Sequence, residues 1–238
     1  MEKNGTLYIV ATPIGNLEDI TLRALRVLKE VDAIACEDTR VTSRLLTHYS
    51  ISKPLLSLHH HSGQVKFEKI LTLLGEGKSV AYASDAGTPG ISDPGNKLVE
   101  EALAGRFSIV PIPGVSALAT LISVSGIDMQ VFSFLGFPPH KKGRETFFKK
   151  VTASEAPVVY YDSPHRVIKN LLLLQSLQIA ENLEPNSEAE SSLEKQVIIG
   201  RELTKMFEEI VRGSITEIEG YFTIHPEKMK GEFSVIVY

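Results

Sequence analysis

Cysteine is nearly absent from this chain: Cys36 stands alone among 238 residues. A single thiol excludes an internal disulfide and suits a reducing compartment. Long hydrophobic runs are missing too. The longest apolar candidate, Val110 to Val124, is interrupted by Pro111, Pro113 and Gly114, whereas a membrane helix needs ~18–20 consecutive apolar residues. No charged-then-apolar leader opens the chain, so a soluble, cytoplasmic protein is expected, with no membrane partner. Excess positive charge is also lacking, with 25 Lys and Arg against 29 Asp and Glu and a net charge of −4. That balance excludes a whole-surface electrostatic footprint for nucleic acid, and any RNA contact must use a local patch or a partner complex.

What remains is ordinary for a globular protein, at 43% hydrophobic and 23% charged. The length fits one large domain or two of about 115 residues. Strand, glycine-containing turn and helix then repeat along the first half. Leu7 to Ala11, Asp32 to Cys36, Leu55 to Leu58, Val80 to Ala83 and Ser108 to Val110 read as buried strands. Helical spacing runs between them, as in Ile20, Leu22, Leu25, Val27 and Leu28. Arg40 to His48, Gln64 to Leu74 and Asn96 to Ala104 are the other helices expected here. Strands alternating with helices imply a mostly parallel sheet covered on both faces.

The densest signal is Ser84-Asp85-Ala86-Gly87-Thr88-Pro89-Gly90-Ile91-Ser92-Asp93-Pro94-Gly95, between the Val80 strand and a helix. Open α/β sheets place ligands at the carboxyl ends of their strands, which is where this loop falls. Its glycines allow close backbone approach and its prolines restrict movement. A bulky side chain at Gly87 is expected to occupy a ligand's path. The loop lacks G-x-G-x-x-G, so a dinucleotide arrangement is not indicated.

In the second half Val131 to Leu135, Pro157 to Tyr161, Gln196 to Gly200, Glu208 to Arg212 and Glu232 to Tyr238 read as strands, two of them at hairpin-like spacing. A mixed sheet is expected there, and the boundary falls between residues 1–114 and 115–238. Pro113 to Ala117 marks a helix start. Glu181 to Glu194, acidic and poor in apolar residues, reads as a mobile loop that points away from any RNA entrance.

Several blocks together carry a family resemblance: Ala11 to Asp19, Glu37-Asp38-Thr39-Arg40, the Ser84 to Gly95 loop, Pro113-Gly114-Val115-Ser116-Ala117, Ser163-Pro164-His165-Arg166 and Arg201-Glu202-Leu203-Thr204-Lys205, with Gly231-Glu232-Phe233 at the end. In order and over nearly the whole length, they resemble the ribosomal RNA small subunit methyltransferase I branch of the tetrapyrrole methylase superfamily. The resemblance implies a two-domain α/β homodimer that moves a methyl group from S-adenosylmethionine to a cytidine 2′-hydroxyl of 16S rRNA. The small ribosomal subunit or its free rRNA is then the partner. It also implies a donor site in the cleft between domains, using Pro13, Asp85, Gly87-Thr88-Pro89, Ser116-Ala117, Tyr161 and Glu202.

Methyl transfer to a hydroxyl needs alignment first and a base second. Glu37, Asp38 or Asp85 could take the proton, while Arg40 binds phosphate; equally, a carboxylate could cap the next helix and Arg40 merely pair with it. His165 and Arg166 are candidates for catalysis and substrate contact, or for packing behind a helix start at Ser163 and Pro164. Arg201 and Glu202 close the site or form a surface ion-pair cluster. Lys141, Lys142 and Arg144, with Lys149 and Lys150, are the one local basic cluster and could track RNA, and Asn16 belongs to the same set. His59-His60-His61 cannot all face one ion from an extended strand, so no metal is expected. That segment departs from the family's histidine motif. The chain also lacks, after Tyr238, the lysine-rich extension of many relatives, and weaker or different ribosome binding is expected if that extension contributes. Two readings compete: methylation of a corrinoid or porphyrin precursor on the same fold, and a non-catalytic donor-binding module in ribosome assembly.

Overall fold

The computed structural model describes residues 5–59, 64–182 and 194–238. The chain forms two compact units, Met1–Ser116 and Ala117–Tyr238.

In the first unit, β1 (Thr6–Val10), α1 (Leu22–Glu30), β2 (Ala33–Cys36), α2 (Thr39–His48), β3 (Leu55–Ser57), α3 (Gln64–Gly75), β4 (Val80–Ala83), α4 (Gly95–Ala104) and β5 (Ser108–Ile112) follow one another. The strands form one sheet in the order β3-β2-β4-β1-β5. Every pairing is parallel, with Leu7 beside both Val80 and Ile109. Both faces of the inner strands β2 and β4 are buried, which explains their unbroken apolar runs. Val10, Ile34, Ala81 and Ala83 pack with Val27 and Leu28 of α1 and Leu45 and Leu46 of α2. Leu7, Ala35, Val80 and Tyr82 pack with Phe67, Ile70 and Leu74 of α3 and Leu98 and Ala102 of α4.

This distribution positions a site. Chains leaving β1 and β2 turn to the face of α1 and α2, whereas the chain leaving β4 turns to the opposite face. Since β4 lies between β1 and β2, their departing loops separate on both sides of it. Such crevices at carboxyl ends are where open α/β sheets admit ligands.

The second unit contains α5 (Ala117–Ser123), β6 (Ser133–Phe134), α6 (Arg144–Thr152), β7 (Val158–Asp162), α7 (Val167–Asn182), β8 (Gln196–Arg201), β9 (Glu209–Ser214), α8 (Ile215–Ile224) and β10 (Phe233–Val237). The order β6-β7-β10-β8-β9 is mixed: β6 runs parallel to β7 and the other pairs are antiparallel. Phe148, Leu171, Leu174, Ile218 and Phe222 from α6, α7 and α8 cover one face, against Tyr160, Val197, Ile199 and Val235.

Several elements differ from the sequence reading. The edge strand β6 is only two residues long, with Val131 left 74% exposed because it has no strand to pair with. Helix α7 begins at Val167, after a turn in which the Ser163 carbonyl accepts the Arg166 and Val167 amides. Glu181 and Asn182 end that helix, and the rest of the expected acidic loop, 183–193, lies outside the described residues. Helix α8 was not foreseen, although Ser214 and Glu217 form a full capping box ahead of Ile215, Ile218 and Phe222.

Candidate functional site

Three loops of the first unit are stitched together at the carboxyl edge of neighbouring strands β4, β1 and β5. Thr12 and Gly87 exchange both backbone hydrogen bonds at 3.0 Å. The buried Thr12 hydroxyl donates to the Ser84 carbonyl at 3.0 Å, and Thr88 Oγ1 donates to the Val115 carbonyl at 2.9 Å. Pro13 is buried beside them, Pro89 is half-buried, and Ser116 immediately precedes α5, whose first residue is Ala117. Gly87 has φ +77°, and a Cβ there would lie 3.2 Å from Ile14 Cγ2 and 3.5 Å from the Val115 carbonyl. The missing side chain therefore lets the loops interlock, whereas the sequence reading had it clearing a ligand's path.

Asp93 folds the remainder of this loop and was not singled out from sequence. Its carboxylate accepts the Gly90 amide at 2.6 Å, the Gly95 amide at 2.8 Å and the Tyr82 hydroxyl at 3.1 Å. Asn96 Nδ2 also donates to the Gly90 carbonyl at 2.8 Å. An aspartate two residues before a glycine amide is a recognisable Asx-turn signal. Four backbone or side-chain tethers on one loop leave it little freedom.

Carboxylates meet on the other side of β4. The Asp38 amide donates to Asp85 Oδ1 at 3.0 Å, and the Asp85 amide donates to Glu37 Oε1 at 3.1 Å. Adjacent parallel strands that end in register make this exchange possible, since Cys36 pairs with Ala83. Asp38 also caps α2 through the Arg40 amide at 2.8 Å and holds the Arg40 guanidinium at 2.5 Å. Both structural alternatives for this motif are thus realised, yet the Arg40 side chain remains 84% exposed and open to a phosphate. Arg40 holds the Asp38 carboxyl well below the usual carboxylate range. Burial pushes the half-buried Asp85 carboxyl up, with the Asp38 charge adding to the shift. Asn16 lies on the β1 loop, exposed, where its side chain caps a short 3-10 turn by accepting the Glu18 amide.

The second unit presents its candidates at one edge of its sheet. Phe233 of β10 pairs with Asp162 on one side and Arg201 on the other, so the ends of β7 and β8 emerge at the same level. Asp162 is 3% exposed and accepts the Ser163 amide at 2.7 Å and Asn170 Nδ2 at 2.6 Å. Arg144 reaches the same Asn170 through Nε at 2.7 Å. Arg166 donates to Ser163 Oγ at 3.1 Å and to the Pro138 carbonyl at 3.2 Å. His165 is exposed on the turn between them, as are Lys141 and Lys142 ahead of α6. Tyr161 accepts the Leu118 amide at 3.2 Å through its hydroxyl.

Arg201 is only 7% exposed, and its guanidinium donates to Glu209 at 3.3 Å and the Phe207 carbonyl at 2.9 Å. Glu202 adopts φ +50° and accepts from Lys205 Nζ at 2.8 Å and the Glu232 amide at 2.9 Å. Their visible work is to hold the β8–β9 loop in shape. No group of three or more metal-ligating side chains occurs among the described residues, and His60 and His61 lie outside them. Cys36 is buried, and burial raises its thiol pKa. No described helix is long and apolar enough to cross a membrane.

A family model described as tetrapyrrole (corrin/porphyrin) methylases matches residues 6–219. Among curated relatives, the protein named ribosomal RNA small subunit methyltransferase I of Thermotoga maritima is 42% identical, with 98% of each chain covered. Its namesake in Borrelia garinii subsp. bavariensis is 42% identical over 97% of each. That of Halalkalibacterium halodurans is 40% identical over 99% of this chain and 76% of the relative. Solved structures share the fold at low identity. Uroporphyrin-III-C-methyltransferase from Thermus thermophilus superposes with a TM-score of 0.63 at 17% identity, covering 98% of this chain and 94% of its own. A cobalt precorrin-4 methyltransferase gives 0.64 at 15%, with the same coverage. The chain belongs to the tetrapyrrole (corrin/porphyrin) methylase family, in the branch whose curated members are named ribosomal RNA small subunit methyltransferase I.

Proposed function

We propose that this protein transfers the methyl group of S-adenosylmethionine to the 2′-hydroxyl of a cytidine in 16S rRNA, on the small ribosomal subunit or its free RNA. The observation that carries the reading is the interlocking of the β1, β4 and β5 loops beside a cluster of three carboxylates and an exposed arginine. The names of the full-length relatives supply the substrate class. A homodimer acting in the cytoplasm completes the proposal.

The residues present suit such a donor. Glycine- and proline-built loops offer backbone amides and carbonyls with few fixed charges, a set matched to a ligand that is both amino acid and nucleoside. Pro13, Asp85, Gly87, Thr88, Pro89, Ser116 and Ala117 would hold it, and when bound it supplies an electrophilic methyl on a sulfonium. A strongly anionic pocket around that sulfonium would favour the ground state and slow transfer. Rigid loops act instead by alignment, which can contribute on the order of 7–11 kcal/mol to barrier lowering.

On the acceptor side, Arg40 binds a backbone phosphate through the exposed edge of its guanidinium that Asp38 leaves free. Asp85 takes the hydroxyl proton, since its raised pKa makes it a better base than Asp38, whose oxygens already accept an amide and a guanidinium. His165, Arg166, Arg144, Lys141 and Lys142 contribute RNA contacts from the second unit.

Labelled donor incubated with small subunits, naked 16S rRNA or tetrapyrrole precursors tests this. Label is expected in one cytidine ribose whose 3′ linkage resists alkaline cleavage. Transfer to a tetrapyrrole, or donor binding without transfer to any acceptor, would refute it.

A further inference from the structure

Phe137 is 52% exposed on the loop that joins β6 to α6, although the chain around it is firmly held. The Tyr161 amide donates to the Gly136 carbonyl at 2.9 Å, and Arg166 donates to the Pro138 carbonyl at 3.2 Å. Gly136 takes φ +67°, which turns the chain outward between these anchors. Pro138 is buried, so the loop directs one neighbour inward and leaves the phenyl ring outside. Behind the ring, Tyr161 lies with its centroid 5.4 Å away, and Phe134 backs Tyr161 at 5.0 Å. One side of an aromatic ladder is therefore packed and its end is open.

The charge left without an ion-pair partner nearby has one sign. Lys141 and Lys142 follow on the same loop, exposed, and neither forms an ion pair among the described residues. Arg144 and Arg166 bond only neutral protein oxygens, through Nε and one Nη each. The acids close by are already engaged: Glu145 pairs with Lys149 at 2.8 Å, and Asp162 is buried and hydrogen-bonded. In a chain of net charge −4, this is a local cationic surface with an open ring at its margin. The two lysines alone would suit the carboxylates of a second copy as well as phosphates; the exposed ring beside them favours an unpaired nucleotide, which offers both a π-face and a phosphate.

We propose that Phe137, Lys141 and Lys142 form a docking element for single-stranded RNA, with the phenyl ring stacking on an unpaired base and the lysines taking flanking phosphates. This rests on the rRNA reading above and adds a residue that recognises base surface. The element fits a substrate whose target base is unstacked, because a paired helix hides its base faces.

Fluorescence anisotropy with a short 5′-labelled single-stranded RNA, and with a matching strand abasic at every position, tests it. Phe137→Ala is expected to weaken binding of the base-bearing strand by ~5- to 150-fold, the equivalent of ~1–3 kcal/mol for one stacked base. Phe137→Trp restores affinity, and Phe137→Ala leaves the abasic strand unaffected. The double change Lys141→Gln with Lys142→Gln lowers the slope of log affinity against log salt by about 1.4. Thermal midpoints separate these effects from loss of fold. Unchanged affinity in Phe137→Ala, or an equal loss on both strands, overturns the proposal. So does a shift from dimer to monomer in sedimentation with RNA affinity retained, which would make the ring a contact between copies. Wild-type protein that binds RNA yet labels no ribose sinks the functional reading alone; wild-type protein that binds no RNA sinks both.

Discussion

Replacing Gly87 by alanine should destabilise the first unit and weaken donor binding together. The residue sits at φ +77°, where a non-glycine residue costs about 1–3 kcal/mol. Its new methyl would meet Ile14 Cγ2 at 3.2 Å, so the side chain or the loop must also shift by a few tenths of an ångström. A total near 2 kcal/mol follows, a large share of the about 5–15 kcal/mol typical of a whole fold. Any shift that relieves the contact strains the paired Thr12 and Gly87 hydrogen bonds. Gly75→Ala is the matched control. That glycine ends α3 with nothing within 4 Å of an added Cβ, so alanine should stabilise by roughly 0.5–1 kcal/mol. Urea unfolding reads the two changes as opposite shifts in midpoint at constant slope. Hydrogen exchange at the Thr12 and Gly87 amides localises the effect, and calorimetry with S-adenosylmethionine reads affinity. Wild-type midpoint and exchange in Gly87→Ala would refute the claim that glycine here serves the interlock; a stable variant that still fails to bind donor would instead restore the idea of a cleared ligand path.

Asp85→Asn should lower methyl transfer by ~10²- to 10⁴-fold if its carboxylate takes the proton. Because only the ionised base works and burial raises its pKa, the rate should fall with acid above the range where an ordinary aspartate titrates. Asp38→Asn keeps the helix cap, removes a neighbouring negative charge and frees Arg40, so it should move that acid limb to lower pH while retaining activity. An inactive Asp38→Asn beside an active Asp85→Asn would reverse the assignment. Arg201→Leu should cost about 2 kcal/mol in unfolding experiments, since it deletes hydrogen bonds to a carboxylate and a carbonyl while Lys228 still pairs with Glu209. A stable variant with raised KM for rRNA alone would mark Arg201 as a substrate contact.

The sequence by itself determined the alternation of the first unit. Buried parallel strands must be apolar on both faces, so β1, β2 and β4 are legible as short continuous runs, and the intervening helices carry their period in Val27, Leu28, Leu45 and Leu46. It also determined the loop of residues 84–95, because few folds need so many glycines and prolines unless backbone geometry is the requirement. In the second unit the edge strand was overdrawn, since pairing at Ser133 and Phe134 depends on β7 and leaves no mark on Val131. Helix α8 was overlooked despite its capping box.

Only the tertiary structure decided which loops meet. Strand order is not written in the local pattern, and it is the insertion of β4 between β1 and β2 that sets Thr12 against Gly87 and Asp38 against Asp85. The role of a charge was equally undetermined, because an exposed arginine and a buried one read alike in a string. Arg40 is open while Arg201 is enclosed, and Phe137 is exposed beside a packed Tyr161. Those distinctions arise from long-range packing, which fixes solvent access and hydrogen-bond partners, and local sequence period carries neither.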